Sequence, residues 1–262
     1  MLIEIIIGTL LSTFIAVIAY AKHSLVLSGL IASVILGTII YAFGGIVLYS
    51  LLIAFFISSS LLTKLHERKV DDSSSGRNYL QVISNGLVAA AFSILFYLLN
   101  MEFLLIAAAA AIATSNSDTW ASEIGILSKG KTRSVTNFKE VSKGVSGAIS
   151  GLGTLASVLG ALFIGVLFAL VSSITTVVLF QTVLFYAAII SISGVLGCFV
   201  DSYLGSLVQA KYRGIKSDTF TENKSLPNEE VILKSGISFV NNDTVNFLSS
   251  LAASLIALLF FI

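Results

Sequence analysis

The chain has 262 residues, 56% of them hydrophobic and only 11% charged, with a mean hydropathy of +0.98. A soluble domain carries about 25% charged residues, so this composition excludes a water-soluble globular protein and reads as an integral membrane protein. The net charge of +1 gives no support to nucleic-acid binding, and the single cysteine, Cys198, excludes an internal disulfide and a thiolate metal site. His23 and His66 lie too far apart for zinc spacing. The apolar runs are continuous rather than alternating, which argues against an outer-membrane barrel. Glycine is frequent at 20 and proline almost absent at 1, so the helices are expected to be mostly unkinked and packed through small residues.

A membrane-spanning helix needs about 20 predominantly apolar residues. Eight runs qualify: roughly 2–20, 25–43, 45–63, 80–99, 102–117, 149–171, 177–199 and 244–262. The first lacks a basic n-region and an A-x-A site, so it reads as a retained span. The second and third are separated only by Phe43-Gly44-Gly45; six or seven spans are the alternative if 25–63 is partly re-entrant. The expected fold is therefore all-α, a polytopic helical bundle forming one integral membrane domain over 1–262. Its longer polar connections fall at about 64–79, 118–148 and 200–243. With eight spans, all 15 Lys and Arg residues fall in connections on one side, while the other side holds only Glu4 and Glu102. The positive-inside rule then places the basic side in the cytoplasm and both termini outside. Within these connections, 69–78 (KVDDSSSGRN) reads as a polar, mobile loop, and 214–236 is long and mixed in charge, either functional or disordered.

Three polar clusters sit at the basic-side ends of spans. The first, NSDTWASEIG (116–125), places Asp118 and Ser122 four residues apart, on one helical face. Glu123 would lie well round from Asp118, so the two carboxylates converge only if the helix breaks or a third element enters between them. Trp120 suits an interfacial depth. An ordinary polar span end is the alternative, but carboxylates so close to the membrane are costly without a cation. The second cluster runs from Gly194 to Gly214, with Asp201, Gly205 and Gln209 near one face and Ser202 beside them; the alternative is a glycine packing seam. The third, NNDTVN (241–246), holds Asn242, Asp243 and Asn246. Asp243 could be an N-cap of the last helix; Asn246 lies inside the span. Asn85, alone in the fourth span, reads as a helix–helix hydrogen bond.

The stretch 129–153 carries Lys129, Lys131, Arg133, Lys139 and Lys143, then Gly144, Ser146, Gly147, Gly151 and Gly153. Glycines leave backbone N–H groups free to cradle phosphate; the alternative is a basic loop on anionic headgroups. No Walker A motif occurs. Carboxylates hold hard cations such as Mg²⁺, which in turn bind phosphate oxygens, and basic residues neutralise charge in phosphoryl transfer. Asp118, Glu123, Asp201 and Asp243 opposite a basic glycine-rich loop thus read as a nucleotide–Mg²⁺ site. A cation transporter would place its carboxylates nearer the bilayer midplane.

The run 115–125 (SNSDTWASEIG) resembles the hallmark N-[AS]-D-T-W-[AS]-S-E-[IL]-G of the integral membrane family that includes animal transmembrane protein 19 and plant phytyl-phosphate kinase. KGVSGAISGLG (143–153), GVLGCFVDSYLGSLVQ (194–209) and NNDTVN (241–246) are similar to the family's further motifs, in the family's order over about 80–262. The stretch 211–236 departs from eukaryotic members in lacking a cysteine. The resemblance implies a kinase that uses a nucleoside triphosphate, often CTP, to convert an isoprenoid monophosphate to the diphosphate. Asp118, Glu123 and Asp201 would be catalytic and, with Asp243, would bind Mg²⁺. Lys129, Lys131, Arg133, Lys143, Gly144, Ser146 and Gly147 would hold the phosphates. Asn85, Asn116, Ser122, Ser202, Gln209, Asn242 and Asn246 would supply polar support. The implied partners are membrane lipids, the isoprenoid phosphate and the nucleotide, with the site on the cytoplasmic face of the plasma membrane in a prokaryote. A polyprenol (alcohol) kinase and, in another class, a transporter or lipid scramblase are the rival readings.

Overall fold

A computed structural model describes residues 1–70, 76–175, 178–226 and 229–262, and for 66–70 only the helical path. The helices are α1 (Leu2–Ala21), α2 (Leu27–Val70), α3 (Tyr79–Leu99), α4 (Glu102–Gly125), α5 (Gly151–Thr175), α6 (Phe180–Leu207) and α7 (Asn242–Leu258), the last ending in a 3-10 turn at Leu259–Phe261. Six of them are long and apolar enough to cross a membrane. The chain folds as a polytopic helical membrane protein, as its composition requires.

Helix α2 is not one rod. Gly45 has φ 68° and ψ −170°, a conformation open essentially to glycine alone. Two contacts show that the chain reverses there. The rings of Tyr41 and Tyr49 meet edge to face at 5.3 Å, and a Cβ on Gly37 would lie 3.6 Å from the Tyr49 ring. Twelve residues along a straight helix span about 18 Å, so the two limbs of α2 run antiparallel. Split at Gly45, the bundle has eight rods, matching the eight apolar runs of the sequence.

The connections alternate between the two ends. At one end Lys64 Nζ donates to the Lys22 carbonyl at 2.7 Å, and the Val26 N–H donates to Arg77 O at 3.1 Å. At the other, Phe43 meets Tyr97 at 5.2 Å and Tyr186 Oη donates to Glu102 at 2.8 Å. Chain order then assigns every Lys and Arg to the first end.

Helix α4 is the axis. Ile106 to Ser117 are all buried, with Ala107 to Ala113 fully so. Alanine lets the surrounding helices close in, and glycines meet it: a Cβ on Gly194 would lie 2.8 Å from Ala113 Cβ, and one on Gly160 3.1 Å from Trp120. Helix α4 falls outside the six spans that hydropathy marks because Glu102 stands at one end and the polar run from Thr114 to Glu123 at the other.

Two small antiparallel sheets, absent from the all-α expectation, order the polar connections of the basic end. Strand β1 (Arg133–Ser134) pairs with β2 (Ala148–Ile149), Arg133 opposite Ile149. Strand β3 (Lys211–Gly214) lies between β4 (Phe220–Thr221) and β5 (Val231–Ser235), with Tyr212 opposite both Thr221 and Leu233. The described part of 214–236 is therefore a folded sheet, not a disordered loop. Most of the Ser-rich stretch at 69–78 lies outside the described residues.

Candidate functional site at the basic end of the bundle

The helix bearing NSDTWASEIG does not break. Helix α4 runs past its expected end at 117 to Gly125, with Thr119 Oγ1 donating to Ser115 O at 2.8 Å and Ser122 Oγ to Thr119 O at 3.0 Å. Five residues of regular helix turn Glu123 by about 140° from Asp118, and the two carboxylates accordingly face different neighbours. Asp118 looks toward α6, where Cys198 Sγ lies 4.0 Å from its Oδ1. Asp201, one turn further along α6, is close enough to repel it electrostatically, and its Oδ2 accepts a 2.9 Å hydrogen bond from Ser249 of α7. Glu123 instead accepts from Thr63 Oγ1 of α2 at 2.6 Å. Asp243 stands in the first turn of α7; the N-cap is Asn241, whose Oδ1 accepts from the Thr244 N–H at 2.9 Å, so Asp243 is free of that role. Among the described residues no three His, Cys, Asp or Glu side chains gather to hold one ion. Of the four expected carboxylates, Asp118 and Asp201 face each other's helices, Glu123 is turned toward α2, and Asp243 stands at the start of α7.

Asp118 and Asp201 border a cavity of about 550 Å³. Its far wall is the loop from Lys143 to Ser150, held there by the β1–β2 pairing. Gly144 and Gly147 have φ of 78° and 80°. A Cβ on Gly147 would come within 2.5 Å of Ser206 Cβ and 2.7 Å of Ser202 O, so this turn seats directly on α6. Ser146, Ser202, Ser122 and Asn242 also line the cavity. Of the basic residues, Lys143 alone among the four proposed lines it, bonded to Ser128 O. Lys131 is paired with Glu140 at 2.8 Å, and Lys129 and Arg133 are exposed and off the cavity wall. The structure therefore brings Lys143, and not Lys129, Lys131 or Arg133, to the cavity wall.

Gln209 is 1% exposed and ties the cavity's roof together. It accepts from Ser146 Oγ at 2.8 Å and donates to Glu222 Oε2 at 2.7 Å. Glu222 also lines the cavity, yet nothing around it in the sequence marks it. Burial pushes its carboxyl up, against the opposing pull of the Ser146 N–H, Lys211 and Gln209. Lys211 is in turn shifted down by burial, while Glu222 holds it up; its Nζ donates to Ser146 O at 3.1 Å.

A second cavity, of about 270 Å³, lies on the other side of α4 and is lined by Asn85, Glu123, Asp243 and Asn246 as well as Arg77 and Lys64. Asp118, Ser122, Glu123 and Asn242 line both cavities. Asn85 does not bridge helices through its side chain; its Nδ2 donates to Gln81 O of its own helix at 2.8 Å. Asn116 lines neither cavity. It is 0% exposed, donating to Gly160 O at 2.7 Å and accepting from Ser58 Oγ at 2.9 Å, so its role is to pin α4 to α5 and α2. Trp120 does the same, donating to Ser58 Oγ at 3.2 Å and stacking on Phe163 at 5.5 Å while remaining partly exposed.

A membrane bundle with two polar cavities meeting at one acidic helix end is the class of protein that this geometry defines. The chain belongs to the DUF92 family of integral membrane proteins, whose model matches residues 10–254. It is 31% identical to Protein PGR of Arabidopsis thaliana, covering 96% of this chain and 94% of that protein. It is 35% identical to an uncharacterized membrane protein of Methanocaldococcus jannaschii, over 80% of this chain and 85% of that one. No solved structure matches it.

Proposed function

We propose that the protein is a kinase that transfers the γ-phosphoryl group of a nucleoside triphosphate, CTP among the donors, to an isoprenoid monophosphate such as geranylgeranyl or phytyl phosphate. The site would face the cytoplasm at the plasma membrane of a prokaryotic cell. The observation that carries this reading is the larger cavity, with Asp118 and Asp201 on one wall and the glycine-rich Lys143–Ser150 turn on the other. Mg²⁺ is normally held by one or two carboxylates plus phosphate oxygens, a donor set that this pair fits without Glu123 or Asp243. When bound, the ion would offset charge on the β- and γ-phosphates.

The chain's own groups would act by position and charge. The Gly144–Gly147 turn and Lys143 would grip the nucleotide phosphates, with Ser146 and Ser202 as hydroxyl donors. An acceptor phosphate oxygen would attack the γ-phosphorus as the bond to the β–γ bridging oxygen breaks, releasing the nucleoside diphosphate. A phosphate monoester loses its second proton near pH 6, so this acceptor needs no general base, whereas an alcohol does. A transporter would need a polar path along the bundle axis; fully buried apolar residues from Ile106 to Ala113 fill that axis.

The test is transfer of labelled γ-phosphate by purified protein, with four nucleotides, isoprenoid alcohols and monophosphates, and with or without Mg²⁺. Label should reach the diphosphate only with Mg²⁺ and the monophosphate, and Asp118→Asn should lower the rate by at least about 100-fold in a folded protein. Labelled monophosphate from the alcohol would identify an alcohol kinase. No transfer under any combination overturns the kinase reading.

A further inference from the structure

Behind the second cavity lies an apolar slot of about 100 Å³ between α1, both limbs of α2 and α3. Ile15, Leu36, Leu52, Phe55, Phe56 and Val82 form its walls. Arg77, Gln81, Asn85 and Thr119 line the slot and the second cavity alike, so the apolar and polar spaces adjoin at these four residues. The slot's volume matches roughly three or four water-sized groups at about 30 Å³ each, room for the head-proximal carbons of one chain and not of two.

Arg77 stands at the junction. Its backbone is fixed to the turn after α1, the N–H donating to Ser24 O at 3.0 Å and the carbonyl accepting from Val26. Its guanidinium lies 5.9 Å over the Phe56 ring and donates to Ser59 Oγ at 3.0 Å. A guanidinium carries five N–H donors in a planar fork that suits a phosphate, and one hydroxyl takes one of them. Glu123 also attracts it and would compete with an incoming anion. Ser60, on the same cavity wall, has a buried hydroxyl with no hydrogen-bond partner among the described residues. A cation and a spare hydroxyl at the mouth of a one-chain apolar slot are complementary to one kind of molecule, an amphiphile with a single tail and an anionic head.

We propose that slot and cavity together form the acceptor site: a single-chain lipid phosphate seats the first carbons of its tail in the slot, leaves the rest along the apolar outer face of the bundle, and presents its phosphate to Arg77 and Ser60. Asp118 and Ser122, which line both cavities, then stand between it and the nucleotide. This assignment rests on the phosphotransfer reading for its order of events, but binding alone can test it.

Binding of geranylgeranyl phosphate, geranylgeraniol and inorganic phosphate is measured without nucleotide on the purified full chain. Binding of a non-hydrolysable nucleoside triphosphate with Mg²⁺ is measured separately. Arg77→Gln should weaken the lipid phosphate at least tenfold and leave the alcohol and the nucleotide unchanged, with Arg77→Lys intermediate. Ser33→Phe, which fills the slot, should weaken lipid phosphate and alcohol together. If Arg77→Gln does not fold, Arg77→Lys and Ser33→Phe decide. Unchanged lipid-phosphate binding in these variants, or inorganic phosphate bound as tightly as the lipid, overturns the acceptor site. The expected binding pattern without any transfer would leave the site standing and remove the kinase; transfer with unaltered binding in the variants would do the reverse.

Discussion

Glu222 shows what a single residue contributes to the roof of the larger cavity. Desolvation raises its folded-state pKa above the ordinary value of 4.5, against the pull of the Ser146 N–H, Lys211 and Gln209. The sign follows from linkage: a carboxyl whose folded pKa is raised binds its proton more tightly when folded. Its contribution therefore favours the fold at low pH and is lost as pH rises from about 4.5 through the raised value. Glu222→Gln, which keeps an acceptor for Gln209, should remove that decline. Melting of wild type and variant in detergent over this window should show wild type falling relative to E222Q; parallel curves would mean that Glu222 ionises as freely in the fold as in the unfolded chain.

At the scale of elements, the reversal inside α2 depends on Gly45. Nothing lies within 4 Å of where its Cβ would be, so substitution meets no clash and only the backbone objects. Gly45→Ala should cost about 1–3 kcal/mol, seen as a lower melting temperature, while Gly44→Ala would instead meet Leu48 and Ser93 side chains. An unchanged melt for G45A would mean that the hairpin is not locked there. The Phe43-Gly44-Gly45 turn was legible because two apolar runs longer than one span needed a break between them. The acidic helix ends were legible too, since carboxylates beside apolar runs are costly and stand out. The distribution of those carboxylates was not. Whether Glu123 turns to the same face as Asp118 depends on whether α4 breaks, and its backbone stays helical through Gly125. Arg77 was legible only as one more positive charge; its place at a cavity depends on a turn packed under α1 from a distant part of the chain. Glu222 and the β3–β5 sheet were hidden for a related reason: their partners lie across a long connection, outside any local period.

For the whole molecule, the eight-rod count gives a definite sidedness. Every Lys and Arg falls at the end that holds both polar cavities, and by the positive-inside rule we propose that this end faces the cytoplasm. With buried Cys198 replaced by alanine, Met101→Cys should react with a membrane-impermeant maleimide in intact cells, and Lys139→Cys only after lysis. Both sites are exposed, so the reverse pattern would turn the protein over in the membrane.

The unbroken α4 has one more consequence. Asp118 rides on the same rigid rod as the buried alanines from Ala107 to Ala113, so its compass bearing is set by methyl groups up to several turns away. One residue inserted between Ala113 and Asp118 would swing the carboxylate by about 100° and carry it about 1.5 Å along the axis, away from Asp201. The spacing from alanine core to aspartate therefore behaves like the teeth of a gear, where a single added tooth disengages the machine.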